Sequence, residues 1–182
     1  MIRILDFTFS FVALFLLWPL LLVVTIIGVF DTSSPIFIQQ RVGRCKKPFN
    51  LIKFRTMSVD TKSVASHLAS NSSITRLGSI LRKTKIDELP QLINVLKGEM
   101  SLVGPRPNLF NQEELIKERD TLGVYEVLPG VTGLAQVKNI DMSTPHLLAK
   151  TDRQMIDTLT VKRYFKYIIM TATGSGSGDA VK

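Results

Sequence analysis

Cysteine is nearly absent from this sequence, and the absence excludes several chemistries at once. Cys45 stands alone among 182 residues, so no intrachain disulfide can form, which fits a reducing compartment. His67 and His146 are the only histidines and lie far apart, and no Cys/His cluster has zinc spacing. Neither a P-loop lysine motif nor a G-x-G-x-x-G turn occurs, and no internal repeat is visible. Acid is scarce in one region: from Arg41 to Ile86 there are eleven Lys or Arg residues against one carboxylate, Asp60. That stretch carries +10 of a total of +8, so the remainder nets −2. Such asymmetry suits nucleic acid, phosphorylated substrates or anionic headgroups, and an ordinary solvated face also accounts for it.

Charge is missing altogether from Phe7 to Phe30, 24 residues bounded by Asp6 and Asp31. As straight helix that run measures about 36 Å, enough to cross a hydrocarbon core of about 30 Å. A cleaved signal peptide fits less well, because the run is too long and no A-x-A-like site follows. Pro19 divides the segment, so a kink is expected near it. From the residues alone a kinked spanning helix is favoured over a re-entrant hairpin. In either case Arg41, Arg44, Lys46 and Lys47 assign the following domain to the cytoplasmic side.

Beyond the apolar run, Ile36–Gln40 and Phe49–Phe54 read as strands around a turn, and 58–73 as a polar loop. Amphipathic helices are expected over Ile74–Thr84, with Leu77, Ile80 and Leu81 on one side, and over Asp87–Leu96, ended by Gly98. Met100–Val103 reads as extended, Gln112–Thr121 as a charged helix, Pro129-Gly130 as a turn and Gly133–Val137 as extended. Thr144–Tyr167 reads as one long helix with Pro145 at its start. The aromatic and lysine residues at its end resemble those of interfacial helices. The fold class is α+β and helix-dominated. The tail from Gly174 to Gly178 reads as a flexible linker, and 174–182 is set aside as a linker or tag remnant.

Chemistry is concentrated in Lys85-Ile86-Asp87-Glu88-Leu89-Pro90-Gln91 and, further on, Gly104-Pro105-Arg106-Pro107. Asp87 and Glu88 have a plain structural explanation, as N-cap and first-turn residues of a helix. Arg106 can equally be a surface loop arginine. Joined with the basic stretch and the apolar segment, the pattern points instead to chemistry on an anionic substrate at a lipid surface.

Four ordered motifs sharpen this reading: Lys53-Phe54-Arg55-Thr56-Met57, Arg82 through Gln91, Ser101 through Pro107, and Pro129-Gly130-Val131-Thr132-Gly133-Leu134-Ala135-Gln136-Val137. Together they resemble the monotopic phosphoglycosyl transferases, the bacterial sugar transferase family. The resemblance implies transfer of a sugar 1-phosphate from a UDP-sugar to polyprenol (undecaprenyl) phosphate, with release of UMP. It implies a ping-pong mechanism through a covalent aspartyl intermediate, as the first membrane step of bacterial glycoconjugate assembly. It also implies Mg²⁺ dependence and a re-entrant membrane helix broken at Pro19, which reverses the preference for a spanning helix. The domain organisation expected is a membrane-embedded helix over 1–34 and a catalytic domain over 35–173, facing the cytoplasm from the bacterial inner membrane.

In that role Asp87, at a helix start and held ionised by the helix dipole, would be the nucleophile. Glu88 would be metal partner or acid/base for the polyprenol phosphate, and Asp87 and Glu88 together the metal ligands. Lys53, Arg82 and Arg106 would bind phosphates, with Arg55 and Gln136 as further substrate contacts. The expected partners are a UDP-sugar, polyprenol phosphate and membrane lipids, with a homodimer left open and no nucleic acid. Two other classes compete. A nucleotide-sugar glycosyltransferase would carry an Asp-x-Asp pair, which is absent. A membrane-tethered binding module fits the basic stretch, but no aromatics interleave with the cations.

Overall fold

The computed structural model describes residues 1–61 and 73–174. His67, most of the expected 58–73 loop and the glycine-serine tail beyond Gly174 lie outside them. The first element, α1 (Ile2–Thr32), takes in the whole apolar run, and Ser33 closes it in the left-handed region at φ 59°. Helical structure continues through Pro19, the residue at which the sequence leads one to expect a kink. Proline forfeits one backbone bond and bends a helix, and the remaining apolar residues are long enough to carry the helix past it.

A hairpin follows. β1 (Ile36–Val42) pairs antiparallel with β2 (Pro48–Phe54), from Ile36 opposite Phe54 to Val42 opposite Pro48. This agrees with the sequence expectation, including the turn between them, where Cys45 and Lys46 take positive φ. Next come α2 (Arg76–Thr84), a 3₁₀ turn at Ile86–Glu88, and α3 (Gln91–Lys97), ended by Gly98 at φ 86°. β3 (Ser101–Val103) pairs in parallel with β4 (Gly130–Thr132), and α4 (Glu113–Thr121) lies in the crossover between them. The chain closes with α5 (Leu134–Val137), α6 (Pro145–Thr158) and α7 (Val161–Ala172). The described residues therefore form a helix-dominated α+β domain with a long apolar N-terminal helix.

Two expectations are corrected here. The strand of the Pro-Gly motif is Gly130–Thr132, and Leu134–Val137 is helical where extended chain was expected. Short apolar runs do not separate strand from helix by pattern alone. The long helix expected over Thr144–Tyr167 is two helices, α6 and α7. The break lies at Leu159-Thr160, where the Thr160 hydroxyl caps α7 by accepting from the Arg163 amide at 3.3 Å. An N-cap threonine can start a new helix without any proline or glycine to announce it.

Both ends of α1 dock on the same domain. At its start, Ile2 and Leu5 pack with Val103, Met155, Tyr164 and Tyr167. The Arg3 guanidinium donates to the carbonyls of Leu96 (3.2 Å) and Met100 (3.4 Å). Asp6 is buried, and one of its oxygens accepts from the Ser101 hydroxyl (3.0 Å), the Leu102 amide (2.9 Å) and the Tyr164 hydroxyl (2.8 Å). At its end, Val24 joins Phe54 and Leu81 in a second cluster with Leu21, Ile36, Leu77 and Ile86. Between the two docks the helix is open: Phe15 is 68% and Leu16 67% exposed.

Candidate active site

Inward-facing residues of the hairpin are polar where a plain sheet would be apolar. Gln39 and Arg41 on β1 and Lys53 on β2 are buried beside Phe49 and Leu51. Lys53 stands directly opposite Phe37, its Nζ 5.6 Å from the ring centroid, and the Arg55 guanidinium lies 5.2 Å from the same ring. Arg55 also donates to the Ser34 carbonyl at 2.7 Å, which ties it to the end of α1. The open edge of β2 is completed by a side chain. Asn94 of α3 accepts from the Ile52 amide (3.1 Å) and donates to the Asn50 carbonyl (2.8 Å). That pairing, together with buried Gln91 and Val95, turns α3 so that Ile93 is partly exposed.

The Lys-Phe-Arg-Thr-Met motif then meets α2. Thr75 caps that helix by accepting from the Gly78 amide at 2.9 Å. A Cβ on Gly78 would fall 2.1 Å from the Thr56 carbonyl oxygen, so only glycine permits this approach. Arg82 Nε donates to the Thr56 hydroxyl at 2.8 Å. α2 ends at Lys85 in the left-handed region, and the chain turns at once into Ile86–Glu88.

Asp87 and Glu88 are buried there, 2% and 8% exposed. They do not start an α-helix, as the sequence led one to expect: α3 begins at Gln91 with Pro90 as its cap residue. The dipole argument for Asp87 loses its premise, since that field fades within a helix's first turn. The elements beside the pair carry charged side chains. β2 and α2, which carry Lys53 and Arg82, both pack against the turn. Arg106 Nη2 bonds Glu88 Oε1 at 2.8 Å in a largely buried ion pair.

Lys85, which sequence reasoning quoted but gave no role, belongs to the site as well. Burial lowers its pKa from the usual 10.5; the charge of Glu88 opposes this and that of Arg106 adds to it. Its ammonium donates to the Thr171 carbonyl near the end of α7 at 3.3 Å.

Arg106 comes from the loop between β3 and α4, next to a close backbone approach of two glycines. The Gly130 position approaches Gly104 so closely that a Cβ would lie 2.0 Å from the Gly104 amide nitrogen. Gln136 is carried by α5. Its amide lies by Gly133, where Gly104 O and Met155 Sδ converge, and both amide atoms are buried without a protein hydrogen bond. Arg119 and Asp152 form an enclosed ion pair behind the Arg106 loop. Nothing in the sequence signalled it, because a charged residue on a charged helix reads as solvated.

Among the described residues no group of three or more His, Cys, Asp or Glu could hold a metal ion. Two carboxylates are nevertheless the donor set that Mg²⁺ uses when phosphate oxygens and water complete its shell. Glu88 and Asp87 fit that ion, and they do not fit a zinc cage.

A buried carboxylate pair, one member of it ion-paired to an arginine, thus lies on a domain joined to a helix long and apolar enough to cross a membrane. The chain belongs to the bacterial sugar transferase family, whose model matches residues 1–176. Among its relatives is a UDP-glucose:undecaprenyl-phosphate glucose-1-phosphate transferase of Caulobacter vibrioides, 36% identical over 93% of this chain and 67% of the relative. A transferase of the same name from Xanthomonas campestris pv. campestris is 34% identical over 92% of this chain and 37% of its own length. An exopolysaccharide production protein, PSS, of Rhizobium leguminosarum bv. phaseoli is 40% identical over 76% of this chain and 74% of the relative. The chain spans about half or less of the length of several relatives that it matches.

Proposed function

We propose that this chain transfers a sugar 1-phosphate from a UDP-sugar to undecaprenyl phosphate and releases UMP, in the assembly of a bacterial glycoconjugate. The observation that carries the reading is the Glu88–Arg106 ion pair beside buried Asp87, on elements that also bring Lys53, Arg82 and Lys85. A diphosphate repels an incoming anion, so cations must offset its charge before a carboxylate can attack. Arg106 suits that task because its planar fork matches phosphate oxygens. Asp87 attacks the β-phosphorus; one carboxylate oxygen–phosphorus bond forms, the bond to the UMP oxygen breaks, and UMP leaves. A phosphate oxygen of the polyprenol carrier then attacks the same phosphorus, and the Asp87 carboxylate is released. Glu88 orients the carrier's phosphate or moves its proton, and Arg106 in turn orients Glu88. Asp87 and Glu88 would hold Mg²⁺, which when bound neutralises phosphate charge.

The N-terminal helix is proposed to enter and leave the bilayer by the cytoplasmic face. By length and composition α1 could cross a membrane. Contacts near both of its ends, however, are made with one domain, at Asp6 and at Val24, and the stretch between them carries exposed apolar residues such as Phe15, Leu16 and Trp18. A spanning helix would put those ends on opposite sides. Ile80 of α2 and Ile169 of α7, both exposed beside lysines or arginines, suit contact with lipid.

The test uses UDP-glucose, UDP-galactose and UDP-N-acetylgalactosamine with undecaprenyl phosphate and Mg²⁺. Release of UMP is expected with at least one donor. Without acceptor, the peptide containing Asp87 should gain the mass of a sugar phosphate. Release of UDP in place of UMP would establish glycosyl transfer instead, and near wild-type turnover by Asp87→Asn would remove Asp87 as nucleophile.

A further inference from the structure

The loop that presents Arg106 is gripped at four consecutive carbonyls. Pro105 O accepts from the Gly130 amide (2.8 Å), Arg106 O from Arg119 Nη1 (2.8 Å), Pro107 O from Arg41 Nη1 (3.2 Å) and Asn108 O from the Val42 amide (2.9 Å). Prolines on both sides of Arg106 restrict φ, and neither supplies a backbone donor beside it. These four carbonyls are held by other elements, and the donor at the Arg106 carbonyl is a side chain.

That side chain is Arg119, 1% exposed on α4. Its Nε and Nη2 donate to Asp152 Oδ2 on α6 at 3.0 and 2.7 Å. Its Nη1 serves both Arg106 O and Asn108 Oδ1, the latter at 3.0 Å. Asn108 Oδ1 is shared with the Tyr125 hydroxyl, also at 3.0 Å. Stability alone is a weak reason for this arrangement, because a buried ion pair seldom improves on well-packed apolar residues. A planar guanidinium anchored on one edge and donating from the other is, by contrast, well suited to fix a carbonyl in space, and lysine has no equivalent. The carbonyl so fixed belongs to the residue whose guanidinium meets Glu88.

We propose that Arg119, held by Asp152, is a positioning residue for Arg106: it sets the backbone from which the Arg106 guanidinium reaches Glu88 and the substrate phosphates. The proposal rests on reading Arg106 as a phosphate clamp. Its signature is coupling, since loss of the Arg119–Asp152 pair should matter to phosphate binding only while Arg106 is there to be misplaced.

UDP is the probe, because it carries the diphosphate common to every UDP-sugar and leaves the sugar aside. Its dissociation constant is measured by calorimetry with Mg²⁺ for the full chain and for Arg106→Lys, Asp152→Asn and the double variant, with thermal midpoints alongside. Arg106→Lys should weaken binding about tenfold. Asp152→Asn should weaken it about fivefold in the wild type and less than twofold in the Arg106→Lys background. Equal losses in both backgrounds would overturn the proposal and leave the pair a general stabiliser. Unchanged binding by Arg106→Lys would instead remove the clamp reading beneath it. Should Asp152→Asn fail to fold, Tyr125→Phe replaces it in the same cycle. It deletes one donor to Asn108 and should show the same dependence on Arg106, at about twofold; equal losses there again count against the proposal.

Discussion

Gly130 and Gly104 show how residue-level constraint makes the site. A methyl group on Gly130 would meet the Gly104 amide nitrogen at 2.0 Å and its Cα at 2.5 Å. Both contacts are to backbone, so no side chain can swing away. The two glycines let β3 and β4 run close enough for the Gly130 amide to reach Pro105 O, one residue from Arg106. Gly130→Ala should therefore cost at least about 1–3 kcal/mol, the usual penalty for overpacking, and more because backbone must move. It should also weaken UDP binding through the displaced Arg106 loop. Thermal unfolding and calorimetry on one preparation check both, and an unchanged midpoint would show that the strands can separate freely. The sequence announced Gly130 as a turn residue; the reason for it is the approach of a distant strand at Gly104, which no local pattern contains.

At the level of elements, α1 is tied to the rest of the domain through one buried carboxylate, Asp6. Three donors converge on one Asp6 oxygen, from β3 and α7. Asp6→Ala would leave the Ser101 and Tyr164 hydroxyls and the Leu102 amide without that acceptor. The expected loss is about 1–3 kcal/mol per group that stays unsatisfied. In a domain of this size each kcal/mol lowers the thermal midpoint by roughly 2–4 °C.

The same contact has a pH signature. Burial, then the hydrogen bond to Asp6, then the charge of Asp6 push the Tyr164 phenol far above its usual 10.0. Above pH 10 the unfolded chain releases that proton and the folded chain keeps it, so stability falls as pH rises through this value. Below pH 10 both states are protonated and the effect vanishes. Tyr125 is raised too, chiefly by burial. An ultraviolet titration should show these phenols ionising only as the protein unfolds, and Asp6→Ala should bring Tyr164 down toward the ordinary range. Ordinary titration of Tyr164 in the native wild type would contradict the contact.

For the whole molecule, topology is the property that the two docked ends of α1 bear on most directly. Single cysteines at position 2 and position 33, in a Cys45→Ser background, should react with an impermeant thiol reagent only after the cytoplasmic face is opened. Labelling of position 2 from outside intact cells would establish a spanning helix. Length cannot decide between these outcomes. At about 46 Å a helix of 31 residues is long enough to cross. Its terminal contacts with β3, α3 and the α2 region carry the argument for one face.

By itself the sequence determined the apolar helix, the β1–β2 hairpin, α2 and the Gly98 stop, because each is written in local periodicity and turn chemistry. It also singled out Asp87, Glu88 and Arg106, since their residue types limit what they can do and their motifs recur in a family. Tertiary structure decided how they meet. The Asp-Glu pair sits in a 3₁₀ turn and not at a helix N-terminus: α3 begins at Gln91 and is tied to the edge of β2 through Asn94. Thr144–Tyr167 breaks in two because Thr160 caps a second helix whose Tyr164 bonds to Asp6. Arg119 and Asp152, ordinary surface charges by pattern, are buried under the Arg106 loop, where Arg119 donates to the Arg106 carbonyl. Periodicity reports which face of an element is apolar; which polar groups must satisfy one another inside the fold depends on contacts between residues far apart in the chain, and only the folded chain brings those together.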